Sequence, residues 1–256
     1  MNRSLPNMIP KVIHYCWFGG KPLPPLAKKC ISSWQRVMPD YEIKRWDESN
    51  YNFKKNAFMM CAYEQKKWGF VPDFARIDII YKYGGIYLDT DVEVIKSFNN
   101  LLKYPAFCGF ESEHFVALGL GFGAEKGNEI IKQLMTPYEE KTKWENDDFI
   151  ASPILQTQFL SENYNLRKDN TRQSLISMEV FPKSYFCPMD HITGKITITE
   201  DTFSIHHYMA SWCTPASRKR GKIYKFLARY FGKKTADIVR KIWHKIKNNV
   251  GNFKQS

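Results

Sequence analysis

FVPDFARIDIIYKYGGIYLDTDVEVI, residues 70–95, is the stretch around which the rest of the chain is organised. Its first half has helical periodicity. Phe74, Ile77, Asp78, Ile80 and Tyr81 recur at spacings of three and four, and Pro72 suits a first helical turn. Gly84-Gly85 ends that helix, since glycine takes a left-handed cap without a Cβ clash. Ile86-Tyr87-Leu88 is too short for a helix and reads as a buried strand. It runs into Asp89-Thr90-Asp91. Two carboxylates one residue apart beyond a buried strand repel each other, at a cost that a cation between them removes. Hard oxygen ligands with room for water and a phosphate favour Mg²⁺ or Mn²⁺.

Asp73 and Arg76 share a helix face upstream of the acidic pair. Alone they are an ordinary intrahelical ion pair, worth a few tenths of a kcal/mol. An Asp-x-Asp turn alone is also common on protein surfaces. Together, around Gly84-Gly85-Ile86-Tyr87-Leu88, the two are far more specific. The run Asp73-Phe74-Ala75-Arg76 with Tyr83 to Asp91 closely resembles the sugar-binding region containing the DXD motif of glycosyltransferase family 32. Fungal α-1,6-mannosyltransferases, bacterial capsule and O-antigen transferases and the catalytic domains of glucosylating toxins are relatives in that family. The resemblance implies an α/β fold of the GT-A (Rossmann-like) kind, a nucleotide-sugar donor, a divalent metal and retention of anomeric configuration.

The chain has 256 residues, 43% of them hydrophobic, enough for one full core with an appendage. No run of eighteen apolar residues occurs, and the first residues lack the apolar segment of a signal peptide, so the expectation is a cytoplasmic enzyme. Six scattered cysteines without C-x-x-C pairs fit reduced thiols. The net charge of +12 is concentrated at one end. Residues 216–256 hold thirteen Lys/Arg against one acid, Asp237, while the remaining 215 residues hold 25 of each sign. The expected division is therefore a catalytic domain over 1–215 and a basic helical tail over 216–256.

Upstream, residues 9–17 form a β-rich run closed by Phe18-Gly19-Gly20, a place where a nucleotide could approach backbone. Trp17 at its end is either a core tryptophan or a platform for a base. The resemblance to the first family strand implies the second, and His14 matches a recurrent family position. As a residue, His14 reads as a hydrogen-bonded strand histidine. A helix over 26–37, a strand over 41–46 and helical residues 54–68 follow. Asp47, after the second strand, reads as a loop acid with a nucleotide-side role as the alternative. The alternation is that of an α/β sheet, whose ligands collect beyond the carboxyl ends of the strands.

Downstream, residues 107–111 and 117–124 read as two strands rich in glycine, lacking the Lys-Ser/Thr of a phosphate loop. They also lack the asparagine often found there in relatives. Residues 128–135 and 149–160 read as helices, with Ser152 where relatives carry glycine before proline. Residues 178–181, 195–199 and 203–207 read as short strands. The last leads into His206-His207, which by residue type is either structural or a ligand for Mn²⁺. The element His206-His207-x-x-x-Ser211-Trp212 resembles the family's C-terminal segment. That implies His207 as the third metal ligand, with His206 second, and Ser211 and Trp212 closing on the diphosphate.

The tail carries two amphipathic stripes separated by Gly232: Ile223, Phe226, Leu227, Tyr230 and Phe231, then Ile238, Val239, Ile242, Trp243 and Ile246. With Lys and Arg on the other faces, they suit either an anionic membrane surface or packing on the catalytic domain; nucleic acid ranks behind both. The expected chemistry assigns Asp91 and Asp89 to the metal, Asp73 and Arg76 to sugar hydroxyls, and Trp17 to the base. The donor is expected to be a UDP-hexose, with GDP-mannose the alternative. The acceptor is a glycan, lipid-linked in capsule or O-antigen synthesis, handled by an enzyme peripheral on the inner face of the cell membrane. The rival reading is a non-catalytic membrane-surface or nucleic-acid binding protein on a degenerate transferase domain. A toxin-like enzyme acting on protein is disfavoured because translocation and receptor regions are lacking.

Overall fold

The computed structural model describes residues 8–140, 144, 149–190, 192–209 and 215–252. In chain order the elements are β1 (Val12–Cys16), α1 (Pro25–Val37), β2 (Glu42–Trp46), α2 (Ala57–Glu64), α3 (Val71–Tyr83), β3 (Gly85–Tyr87) and β4 (Val92–Val94). There follow β5 (Ala106–Phe110), β6 (Val116–Ala117), β7 (Phe122–Ala124), α4 (Glu129–Gln133), α5 (Thr136–Glu139) and α6 (Ser152–Tyr164). The remainder are β8 (Gln173–Leu175), β9 (Met178–Phe181), α7 (Lys183–Phe186), β10 (Ser204–His206) and α8 (Pro215–Asn252). The chain divides into two compact units, residues 1–188 with 198–209, and residues 189–197 with 210–256.

The first unit is mixed α/β. Its main sheet runs β2-β1-β3-β7-β5-β9-β8, with β6 paired to β5. β1 lies parallel to both β2 and β3, β7 runs against β3 and β5, and β9 is parallel to β5. Side chains alternate between two apolar clusters. Ile13, Ile86 and Phe107 enter one with Trp34 of α1, whereas Cys16, Tyr87 and Cys108 enter the other with Phe74, Ile77 and Ile80 of α3. Period-two alternation on strands buried from both sides is what a sheet covered by helices requires. β4 pairs antiparallel with β10 in a separate two-stranded sheet.

Gly84 and Gly85 have φ of 67° and 101°, so the helix-to-strand turn needs glycine. At Gly85 a Cβ would also stand 2.7 Å from the Val12 carbonyl and 3.0 Å from His14 Nε2. His14 is buried and accepts from Trp46 Nε1–H at Nδ1 (3.1 Å), so its Nε2–H donates to the Gly84 carbonyl (3.0 Å). Burial lowers its pKa to about 4, although the Gly84 carbonyl pulls upward. His14 is thus a neutral histidine tying β1 to β2 and to the end of α3.

The structure departs from the sequence reading at three places. Residues 195–199 form no strand; an isolated bridge joins Met189 and Ile196. β8 leaves no strand signal in the sequence, because Gln173-Ser174-Leu175 lacks a β-branched run. The glycine-rich stretch 117–124 is divided by a 3-10 turn at Leu118–Leu120.

In the second unit α8 is two helices meeting at Gly232, whose φ of 84° and ψ of 156° interrupt the helix. The Tyr224 hydroxyl donates to Asp237 Oδ1 (2.9 Å) across the break, and Arg240 lies over the Tyr224 ring. Ala228 and Ala236 are buried, whereas Phe226, Tyr230 and Phe231 are 55%, 64% and 62% exposed. No helix among the described residues is long and apolar enough to cross a membrane.

Candidate active site

The parallel pairing of β1 with β2 and β3 puts their carboxyl ends on one edge. Cys16 pairs with Trp46 and His14 with Tyr87, so Trp17, Asp47 and Asp89-Thr90-Asp91 leave the sheet there together. Trp17 is half-buried; its Nε1–H donates to the Lys21 carbonyl (2.5 Å). Asp47 accepts from the Ser49 N–H and hydroxyl and pairs with Arg45 at 2.9 Å, the geometry of a loop acid. Glu48, the acid beside Asp47, holds the glycine turn after β1. It accepts from the Gly19 N–H (2.5 Å) and the Tyr63 hydroxyl (3.0 Å).

α3 delivers Asp73 and Arg76 to the same place from within the core. Both are buried, at 3% and 5% exposure. Arg76 Nη2 lies 2.9 Å from Asp73 Oδ1 and 3.5 Å from Asp89 Oδ1. One guanidinium therefore serves two carboxylates. The Tyr87 hydroxyl donates to Asp89 Oδ1 (3.2 Å), and Arg76 lies over the Tyr87 ring. Burial raises the Asp73 pKa to about 7 against the pull of Arg76, with Asp89 adding to the rise. Asp89 is raised for the same leading reason. These are carboxylates short of positive charge.

Asp91 has a different environment. Burial pushes its pKa upward, but His206, at 3.3 Å from Oδ1, and the Met209 N–H, which donates to Oδ2 (2.7 Å), bring it down to about 2. Reciprocally, Asp91 drives His206 well above its ordinary value despite burial. Tyr208 adopts a left-handed φ of 49°, turning the chain so that Met209 faces Asp91. Asp89, Asp91 and His206 offer ligand atoms that all lie within 4.8 Å of one another. Two carboxylates and an imidazole are a donor set that could hold a divalent cation.

His207 goes elsewhere. Its Nε2 is 2.8 Å from Glu93 Oε2, with Lys29 on the same carboxylate. Strand parity explains the separation: His206 pairs with Val92 on the buried face of the β4–β10 ladder, whereas Glu93 projects from the opposite face. The structure thus brings Asp73, Arg76, Asp89, Asp91 and His206 together and leaves His207 outside that group. Ser211 and Trp212 lie outside the described residues.

Sequence reasoning passed over Gly119. A Cβ there would stand 2.0 Å from Asp89 Oδ2 and 3.0 Å from Arg76 Nη1, while its carbonyl accepts from the Asp89 N–H (3.0 Å). The glycine-rich spacing was the available signal. It lacked an address until the sheet brought β7 beside β3.

Paired aspartates beyond a parallel strand, with an arginine and a histidine converging on them, define an α/β protein of the DXD type. Residues 24–108 match the family described as "Glycosyltransferase sugar-binding region containing DXD motif", a span that contains Asp73, Arg76, Asp89 and Asp91. Over that region the chain is similar to the DXD-motif glycosyltransferases. It is 33% identical over 135 residues to inositol phosphoceramide mannosyltransferase 3 of Schizosaccharomyces pombe, covering 50% of this chain and 36% of that protein. It is 31% identical over 106 residues to the mannosyl phosphorylinositol ceramide synthase SUR1 of Saccharomyces cerevisiae, covering 40% and 28%. The match thus spans about a third of these relatives' length. Among solved structures, the PaToxG glycosyltransferase overlays with a TM-score of 0.49 at 21% identity, over 61% of this chain and 69% of that one. The galactosyltransferase LgtC overlays at 0.41 and 12%, over 85% and 95%.

Proposed function

We propose that the chain transfers a glycosyl group from a nucleotide-sugar to an acceptor hydroxyl, with retention of configuration. The observation that carries this reading is the convergence of Asp89, Asp91 and His206 beside the Asp73–Arg76 pair. The donor set fits a divalent cation, which when bound neutralises charge growing on a leaving diphosphate. Asp91 and His206 would hold the cation, and Asp89 would join them directly or through water. Arg76 and Asp73 bind and orient donor sugar hydroxyls, and Trp17 offers its ring to the base. With the acceptor attacking on the face the diphosphate leaves, a phosphate oxygen takes its proton and no side chain need act as general base.

The donor is a UDP-hexose or GDP-mannose. Relatives named as mannosyltransferases support the second, and their naming for inositol phosphoceramide supports a lipid-borne acceptor. A basic helical segment with exposed Phe226, Tyr230 and Phe231 supports the same class, because it suits an anionic membrane surface. On this reading residues 1–215 are catalytic and 216–256 hold the enzyme peripherally at the inner face of a membrane. Capsule or O-antigen assembly is a process that would use such an enzyme.

The test is titration of the full chain with UDP- and GDP-sugars in Mn²⁺, followed by donor hydrolysis. Binding of one class, hydrolysis of it, and loss of both in Asp91→Asn or in chelator are expected. His206→Ala should weaken Mn²⁺ binding at least tenfold, and His207→Ala far less. Full transfer by Asp91→Asn in chelator would overturn the mechanism. Absence of binding to every nucleotide-sugar would favour the non-catalytic binding protein instead.

A further inference from the structure

Asp89 owes its position to a segment with few ordinary backbone partners. β6 has two residues and pairs with β5. Two side chains of α6 complete it. The Val116 N–H donates to Thr157 Oγ1 (2.9 Å), and the Leu118 N–H donates to Gln156 Oε1 (3.1 Å). Gln156 and Thr157 are each 1% exposed. They are neighbours in sequence on a helix of thirteen residues, yet they reach N–H groups two residues apart on the facing chain. The next residue on that chain is Gly119, whose carbonyl accepts from the Asp89 N–H and whose Cα lies against the Asp89 carboxylate and Arg76.

We infer that Gln156 and Thr157 are positioning residues for Asp89, acting through residues 116–119. The inference rests on the reading of Asp89 as part of the cation and diphosphate site. A buried N–H left without its acceptor forces local rearrangement, because its desolvation is no longer compensated. Here that rearrangement occurs one residue from Gly119 at Leu118 and three residues from it at Val116, and at Gly119 the clearance to Asp89 Oδ2 admits no methyl group. Loss of either acceptor therefore shifts the backbone against which Asp89 rests. Neither side chain needs to touch donor or cation.

The experiment compares Thr157→Val and Gln156→Met, which delete an acceptor at similar volume, with Thr157→Ser, which keeps it. Mn²⁺ binding to the full chain is measured by calorimetry, together with KM and kcat for donor hydrolysis and the thermal midpoint. Thr157→Val and Gln156→Met should each weaken Mn²⁺ binding roughly five- to tenfold, the effect of one lost buried hydrogen bond. Thr157→Ser should stay within about twofold of the parent. The loss should also be steeper in kcat than in KM. Variants that melt lower but bind Mn²⁺ as the parent does would overturn the inference and leave the transferase reading standing. A parent chain that binds no Mn²⁺ would overturn both.

Discussion

Gly119→Ala is a clean perturbation of the site, because the backbone tolerates it and the site does not. Gly119 is absent from the glycines with positive φ, so alanine meets no conformational penalty there. The added methyl would lie 2.0 Å from Asp89 Oδ2, 2.9 Å from its Cγ and 3.0 Å from Arg76 Nη1. Even the tightest tolerable contact, about 3.0 Å, requires the carboxylate oxygen to retreat by about 1 Å. That retreat breaks the 3.2 Å bond from the Tyr87 hydroxyl or the 3.5 Å approach of Arg76. Overpacking of this kind costs about 1–3 kcal/mol. For a domain of this size that lowers the melting midpoint by a few degrees, leaving the protein folded. The larger effect is on the cation, because Mg²⁺ holds its oxygens at about 2.0–2.1 Å and a displacement of half that length removes a ligand. Calorimetric titration with Mn²⁺ should give binding at least tenfold weaker, about 1.4 kcal/mol. Gly221→Ala, where nothing lies within 4 Å, is the control and should bind as the parent does. Mn²⁺ binding by Gly119→Ala within twofold of the parent, with an unchanged midpoint, would refute the placement of Asp89 in the cation site.

Two further outcomes follow from charge. Asp73, raised by burial from 3.8 to about 7, is protonated in the folded chain where the unfolded chain has lost its proton. The folded state then binds more protons between about pH 4 and pH 7, so stability falls as pH rises through that window, by up to about 1.4 kcal/mol per pH unit. Urea unfolding in chelator at pH 5 and pH 7 should show the parent losing ground relative to Asp73→Asn, which cannot titrate; a constant difference would show that Asp73 ionises normally. At the other end of the chain, vesicles with anionic lipid should sediment the parent, and neutral vesicles should not. Replacing Phe226, Tyr230 and Phe231 with serine should abolish that sedimentation if their exposed rings enter the interface; equal sedimentation before and after the change would sink the assignment.

The sequence made one half of the site legible because that half is local. Asp73 and Arg76 meet through a helical spacing of three, and Asp89 and Asp91 through a strand end, so both pairs follow from backbone periodicity. Their approach to one another follows from the glycine turn, which reverses the chain and brings the strand back along α3. The other half depends on pairing across the chain. Gly119 acts on Asp89 because β7 lies against β3, with Ile86 opposite Gly123, a non-local register that no periodicity in residues 117–124 encodes. Glu48 reaches Gly19 for a similar reason, since the parallel register of β1 and β2 aligns the loops that follow them.

The histidine pair makes the same point at a distance of one residue. Either imidazole suits a cation, and nothing in His206-His207 ranks them by chemistry. The choice is made by parity. Antiparallel pairing sets His206 opposite Val92 and Ile205 opposite Glu93, so consecutive side chains leave by opposite faces. His206 is thereby delivered to Asp91 within the buried face, while His207, past the strand end, meets Glu93, with which Lys29 also pairs, on the other. A one-residue slip of β10 would exchange the two histidines and carry Ser204 out of the core, where it is fully buried. The burial of Ser204 and the placement of His206 are therefore a single constraint on β10. Enlarging Ser204 to leucine should weaken Mn²⁺ binding through register, although that side chain lies two residues from the nearest ligand.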